Sequence, residues 1–176
     1  MFFKFNGILY MNPFVSRCGR YKLYKKNSSL TGGSILLTMA GKVLFQKEMQ
    51  RPTYVDVACN GTVIVGGILG SETESIVSVF DQDGTKLFEK YLTANVCSCA
   101  ISDNSKVIYF ETLKSKTDHS CQFFIYDTRA GKEIARYDSP FCAFGVKLYI
   151  DTDKQQLVFN FKEDTKTIDF FGKLIL

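Results

Sequence analysis

The segment spanning residues 121–137, CQFFIYDTRAGKEIARY, constrains the fold more than any other, because it joins two strand-like runs through a tight turn and then recurs. Phe123, Phe124, Ile125 and Tyr126 are the aromatic and β-branched types that fit a pleated, buried surface. Asp127 opens the turn, where its side chain can accept from the backbone ahead, and Gly131 takes positive φ at no steric cost. Ile134 and Tyr137 begin the return strand. The same grammar stands at 76–91 (IVSVFDQDGTKLFEKY), at 35–49 (ILLTMAGKVLFQKEM) and, shortened, at 167–176 (TIDFFGKLIL). The turn glycines Gly41, Gly84, Gly131 and Gly172 follow one another at intervals of 43, 47 and 41 residues, which is a period.

A second marker precedes each copy. VSRCGRYKL at 15–23 aligns without gaps on VACNGTVIV at 57–65 and on ISDNSKVIY at 101–109, each reading as strand, polar turn, strand, with Gly19 and Gly61 as turn glycines. IDTDKQQLVF at 150–159 keeps the pattern with about one gap, a modest slip for a hairpin loop. Two hairpins per copy at this period are the signature of propeller blades. The expected fold is therefore all-β, a β-propeller-like array of four blades of four antiparallel strands. The blades are expected at about 2–49, 52–91, 95–137 and 140–176 within a single domain over 1–176, with the innermost strand of blade one at 8–10. Such an array either closes as a small ring or forms half of a larger propeller.

FFIYDTRAGKEIARY and VSVFDQDGTKLFEKY resemble the third and fourth strands of WD-repeat or pyrroloquinoline-quinone-type propeller blades, and VSRCGRYKLY resembles the turn between the first two strands. The resemblance covers nearly the whole chain and departs from the WD-repeat pattern in two places. The chain has no Trp, so Phe80-Asp81 and Tyr126-Asp127 stand where Trp-Asp would, and its one histidine, His119, does not precede a first strand.

A chain that is 45% hydrophobic, with 16 Phe and 9 Tyr in 176 residues, has ample material for a packed core. No apolar run approaches the roughly 20 residues a membrane-spanning helix needs. Lys4, Asn6 and Asn12 interrupt the apolar N-terminus, so it reads as strand rather than signal peptide. Six irregularly spaced cysteines do not form a secreted disulfide framework, which points to a reducing, cytoplasmic setting. Cys97 and Cys99 are expected on one face of a strand, yet a single His leaves a metal site poorly supplied, so neither metal nor cofactor is expected. Gly66, Gly67 and Gly70 beside Ser71 lack the Lys-Ser/Thr pair and the helix of a phosphate cradle, and read as a hairpin loop.

Charge is uneven: through Lys47 there are eight basic residues and no acidic one. A basic first blade admits nucleic acid or another anionic surface, but alternation of Arg20, Lys22 and Lys42 with apolar residues is what solvent-facing strand positions show, and nucleic acid is not expected. Asp56 is the one carboxylate in a clear innermost strand, too few for paired acid and base work on a propeller axis. Asp118, His119 and Ser120 are adjacent and cannot converge as a triad. With no catalytic set, the chain reads as a non-catalytic scaffold that binds a protein partner through a loop face carrying Arg51, Tyr54, Lys116, Asp118, His119 and Phe141. An enzyme with its site on the central axis is the alternative. Four complete copies favour a monomer over a homodimer, with Phe2, Phe3, Phe14, Phe170 and Phe171 making both ends of the array sticky.

Overall fold

Every regular element among the described residues is a strand, as the repeat demands; the structure, a computed structural model, describes residues 2–30, 32–70, 73–141, 143 and 146–175. Blade one pairs β3 (Phe14–Val15), β4 (Tyr21–Asn27), β5 (Gly32–Met39) and β6 (Lys42–Gln50) in that order. Blade two is β7 (Pro52–Val57), β8 (Val63–Ile68), β9 (Ser75–Phe80) and β10 (Lys86–Leu92). Blade three is β11 (Val96–Ile101), β12 (Val107–Thr112), β13 (Gln122–Asp127) and β14 (Glu133–Asp138). Blade four is β15 (Lys147–Asp151), β16 (Gln156–Asn160), β17 (Thr165–Asp169) and β18 (Leu174–Ile175). All pairings within the blades are antiparallel. Gly66 and Gly67, expected in a loop, continue β8 instead, and Ser71 lies outside the described residues.

The two repeat markers correspond to two recurring backbone devices. In the first hairpin of blades one to three, Ser16, Ala58 and Ser102 accept the same turn hydrogen bond, from Gly19, Gly61 and Ser105 respectively at 2.8–3.1 Å. In the second hairpin, Asp81, Asp127 and Asp169 each end or follow the third strand, and one carboxylate oxygen of each accepts from two amides ahead, such as those of Arg129 (2.9 Å) and Ala130 (2.6 Å) for Asp127. Gly19, Gly41, Gly61, Gly84, Gly131 and Gly172 all have positive φ. At Gly61 (φ 85°) a Cβ would also lie 2.7 Å from the Tyr21 ring, so the turn of blade two packs on blade one only as glycine. The third and fourth strands of blades one to three share a bulge, at Leu37/Thr38, Lys86/Phe88 and Ile125/Tyr126.

One assignment is corrected at the N-terminus. β2 (Ile8–Met11), expected as the innermost strand of blade one, pairs with β1 (Phe2–Phe5) in a separate two-stranded sheet, and Phe14–Val15 takes the innermost position. Asn6 and Gly7, at φ 48° and 77°, form the two-residue turn. An Asn-Gly pair between apolar runs is a strong local hairpin signal, and here it prevails over the repeat register.

The core lies in the seams between sheets. Ile108, Phe110, Phe124 and Tyr126 of blade three face blade two, while Val107, Tyr109, Phe123 and Ile125 face blade four. A third cluster joins blades one and two, and a fourth seats Phe3, Phe5, Ile8 and Tyr10 of the β1–β2 hairpin on Tyr24 and Leu36 of blade one. Burial on both faces is why β12 and β13 are continuous apolar runs. Among the described residues no hydrophobic cluster joins blade four to blade one, so the array is an open arc rather than a closed four-blade ring.

The two ends of the arc differ in how much apolar surface they expose. Alternate positions of blade four away from blade three carry Lys147, Tyr149, Asp151, Gln156, Asn160, Thr165, Thr167 and Asp169, with Val158 and Ile175 among them. Phe170 is buried against blade three, while Phe171 in the last turn and Leu174 and Ile175 of the outermost strand are exposed. The opposite end is apolar: Phe2, Leu9 and Met11 of the hairpin are 74%, 45% and 57% exposed on the face turned away from blade one.

Candidate functional site on the arc axis

The innermost strands β3, β7, β11 and β15 line a groove of about 790 Å³ along the inside of the arc. Its walls include Phe14, Tyr54, Ser98, Cys99 and Leu148, with Arg17, Lys25, Asp56 and Lys147 as charged groups. The Asp56 carboxylate accepts from the amides of Val57 (2.8 Å) and Ile101 (3.0 Å), so it links the innermost strands of blades two and three. Burial pushes this carboxyl up to about 6, against the pull of those two amides. Lys25 reaches the Thr53 carbonyl and the face of Phe14, and burial lowers its pKa. Burial likewise pushes the Cys99 thiol far up, beside Asp56, leaving it protonated and a weak nucleophile.

At one end of this groove the first turns of all four blades are tied together. Cys59 donates its amide to the Asp103 carbonyl at 3.0 Å, Asn60 donates to the Ser105 hydroxyl at 2.8 Å, and Asn104 donates to that of Thr152 at 2.9 Å. Arg17 crosses the axis, with its guanidinium 3.6 Å from the Asp103 carboxylate and 3.6 Å from the centre of the Tyr149 ring. Blade one thus touches blades three and four through one side chain, a contact that neither the strand pattern nor the repeat could announce. The eight early basic residues are accordingly divided: Lys25 turns to the groove, Arg17 and Arg20 to the turn rim, and Lys47 to the Phe80 ring of blade two at 4.8 Å.

The six expected partner-binding residues fall at the other end, but not as one cluster. Arg51 is the single residue linking β6 to β7, and its carbonyl accepts from Ile68 at 3.2 Å. Tyr54 lines the groove and packs against the core of blades two and three. Lys116, Asp118 and His119 lie in the β12–β13 loop. His119 accepts the Thr93 amide at 3.1 Å through Nδ1 and packs edge-on against Phe124. Burial, with Lys90 and Arg136 nearby, lowers its pKa and favours this neutral acceptor. Phe141 is half-buried and packs against Phe123, Phe159 and Phe161 at the edge of the core of blades three and four.

Cys97 and Cys99, expected on one strand face, lie on opposite faces. A register shift between Val96 and Ser98 breaks the alternation, so Cys97 turns to the Glu111 carbonyl while Cys99 packs towards blade two. Glu111 itself was not anticipated: it is 2% exposed and accepts from the Ser139 hydroxyl (3.0 Å) and the Ala143 amide (3.1 Å), anchoring the chain on its way into blade four. Burial raises its pKa. Its only sequence signal is a carboxylate directly after the apolar run VIYF. His119 lies in the β12–β13 loop rather than in the groove, and both oxygens of Asp56 are engaged by amides.

No protein-family sequence profile matches the chain, and no curated protein sequence does. Solved structures do match. The chain superimposes on Hsv2 of Kluyvelomyces marxianus with a TM-score of 0.64 at 10% identity, over 95% of this chain and 49% of that one. It superimposes on hydrazine synthase of Kuenenia stuttgartiensis with a TM-score of 0.61 at 18% identity, over 93% and 49%. Both are β-propeller proteins, so the blades described above are propeller blades, and the chain spans about half the length of each. At these identities the likeness carries the fold alone.

Proposed function

We propose that this propeller arc is a non-catalytic scaffold that binds a protein partner by adding strands to its open end. One observation carries the reading: every blade has four strands, but the β1–β2 hairpin is a sheet of two. The hairpin occupies the place of the outer half of a further blade, since it packs on the outer strands of blade one through Tyr10, which bonds Ser34 of β5 and Gln46 of β6. An unpaired edge beside exposed Phe2, Leu9 and Met11 is suited to β-augmentation, in which main-chain bonds supply affinity and apolar pockets supply register. Lys4 on the same face, and the absence of acidic residues before Glu48, favour an extended apolar strand with acidic flanks. The aromatic-Asp turns Phe80-Asp81 and Tyr126-Asp127 support reading the blades as WD-repeat-like.

The test is affinity capture from native cells with the wild-type chain and with a Leu9→Lys/Met11→Lys variant, followed by amide exchange on the recovered complex. The expected result is a partner lost with the variant, weakened by salt, that protects the β1 amides. A partner indifferent to the hairpin would overturn the reading, and nuclease-sensitive capture would favour nucleic acid. The enzyme alternative rests on the groove, and turnover that depends on Asp56 would establish it.

A further inference from the structure

Cys18 and Cys59 meet across the seam between blades one and two. Cys18 sits in the β3–β4 turn and Cys59 in the β7–β8 turn, the first turns of adjacent blades. The Cys18 amide donates to the Cys59 sulfur at 3.2 Å, and the Cys18 thiol lies 3.7 Å from the Cys59 carbonyl oxygen. Arg20 spans both: Nε donates to the Cys18 sulfur at 3.5 Å and Nη2 to the Cys59 carbonyl at 2.7 Å. The Ser16 hydroxyl is 3.3 Å from the Cys18 sulfur. Cys18 is exposed and Cys59 half-buried.

This setting separates the two sulfurs chemically. The Arg20 guanidinium, then the Ser16 hydroxyl, hold Cys18 down at about 6, so it is a thiolate at neutral pH. Burial raises the Cys59 pKa, leaving a protonated thiol at its side. An exposed thiolate next to a protected thiol is the arrangement of an attacking and a resolving cysteine. Each sulfur already reaches the backbone of the other residue, so bridging them needs side-chain rotation rather than movement of the blades. The other described cysteines differ: Cys97 is buried, Cys99 is held protonated in the groove, and Cys121 is exposed in the β12–β13 loop away from this arginine.

We infer that Cys18 and Cys59 are a hydroperoxide-reactive pair that converts reversibly into a disulfide stapling blade one to blade two. In the first step the Cys18 thiolate attacks one oxygen of a hydroperoxide; the S–O bond forms as the O–O bond breaks. The sulfur is oxidised by two electrons to a sulfenic acid, and the peroxide is reduced to an alcohol, or to water from hydrogen peroxide, taking a proton from solvent. In the second step the Cys59 sulfur attacks that of Cys18, and the departing hydroxide takes the Cys59 proton and leaves as water. An external thiol reverses the bridge by exchange. The staple would fix the turn-side end of a seam otherwise held by apolar packing and by Arg20.

The experiment treats the full-length chain with one equivalent of hydrogen peroxide at pH 7 and maps its peptides by mass spectrometry. The expected products are a Cys18–Cys59 disulfide that dithiothreitol removes, with Cys121 unmodified, and in a Cys59→Ser variant a dimedone adduct at Cys18. The pH midpoint of Cys18 alkylation should lie near 6 and rise towards the ordinary thiol value in Arg20→Gln. Equal oxidation of Cys18 and Cys121 in the wild-type chain, or no bridged peptide, would overturn the proposal without recourse to any variant. A midpoint unchanged in an Arg20→Gln chain with native circular dichroism would do the same.

Discussion

Asp56, the one carboxylate expected in a clear innermost strand, fastens two blades together. Its two oxygens accept from Val57 and Ile101, and burial raises its pKa to about 6. An unfolded Asp titrates near 3.9, so between about pH 4 and pH 6 the folded chain holds a proton that the unfolded chain has released. The residue's contribution to stability is therefore greatest below that window and declines as pH rises through it. Replacing Asp56 by Asn removes the titration, and the thermal midpoint of wild type relative to the variant should fall between pH 4 and pH 6 and be flat above. A constant difference across that range would show that the carboxyl titrates normally. His119 and Phe141, both expected at a binding face, are half-buried and also hold contacts within the molecule, His119 with the Thr93 amide and Phe141 with an aromatic cluster.

At the scale of elements, the two hairpins of each blade were legible because they depend on local chemistry. An Asp that accepts from amides two to four residues ahead, and a glycine at positive φ, act within the turn itself. The β1–β2 hairpin is equally local, set by the Asn6-Gly7 turn, but the repeat register assigns residues 8–10 to blade one and so hides it. Tyr10 is what makes this hairpin part of the molecule: it is fully buried, with its hydroxyl 2.7 Å from that of Ser34 and accepting from Gln46 at 2.9 Å. Tyr10→Phe keeps the packing and leaves the buried Ser34 hydroxyl short of a partner, so it should cost about 1–2 kcal/mol. Chemical denaturation measures this, and a loss below a few tenths of a kcal/mol would mean that the hairpin is seated by its apolar face alone.

For the whole molecule, the decisive property is that the arc is open with unlike ends. Pairing of two half-rings would set the apolar hairpin face against the polar outer face of blade four, burying Asp169, Asn160 and Thr167 against Phe2 and Leu9, which is a poor exchange. The chain should therefore run as a monomer in light scattering coupled to size exclusion, with one-chain mass across a wide range of concentration. A concentration-independent dimer mass would show that the half-rings pair and that the open end is satisfied by a second copy.

The sequence by itself determined the strands, their turns and the blade period, because each is set by residues within a few positions of one another. It also carried a signal of which blade is an end: β12 and β13 hold the four-residue apolar runs VIYF and FFIY, as strands covered on both faces do, whereas β17 reads TKTID, with Thr165, Thr167 and Asp169 at alternate positions. Only the tertiary structure decided that four blades leave an arc open, that Arg17 crosses the axis to Asp103 and Tyr149, and that Cys18 meets Cys59. Those contacts join turns 41 or more residues apart, and their geometry follows from the twist between packed sheets and from bulges such as that at Cys97, which no hydrophobic pattern encodes.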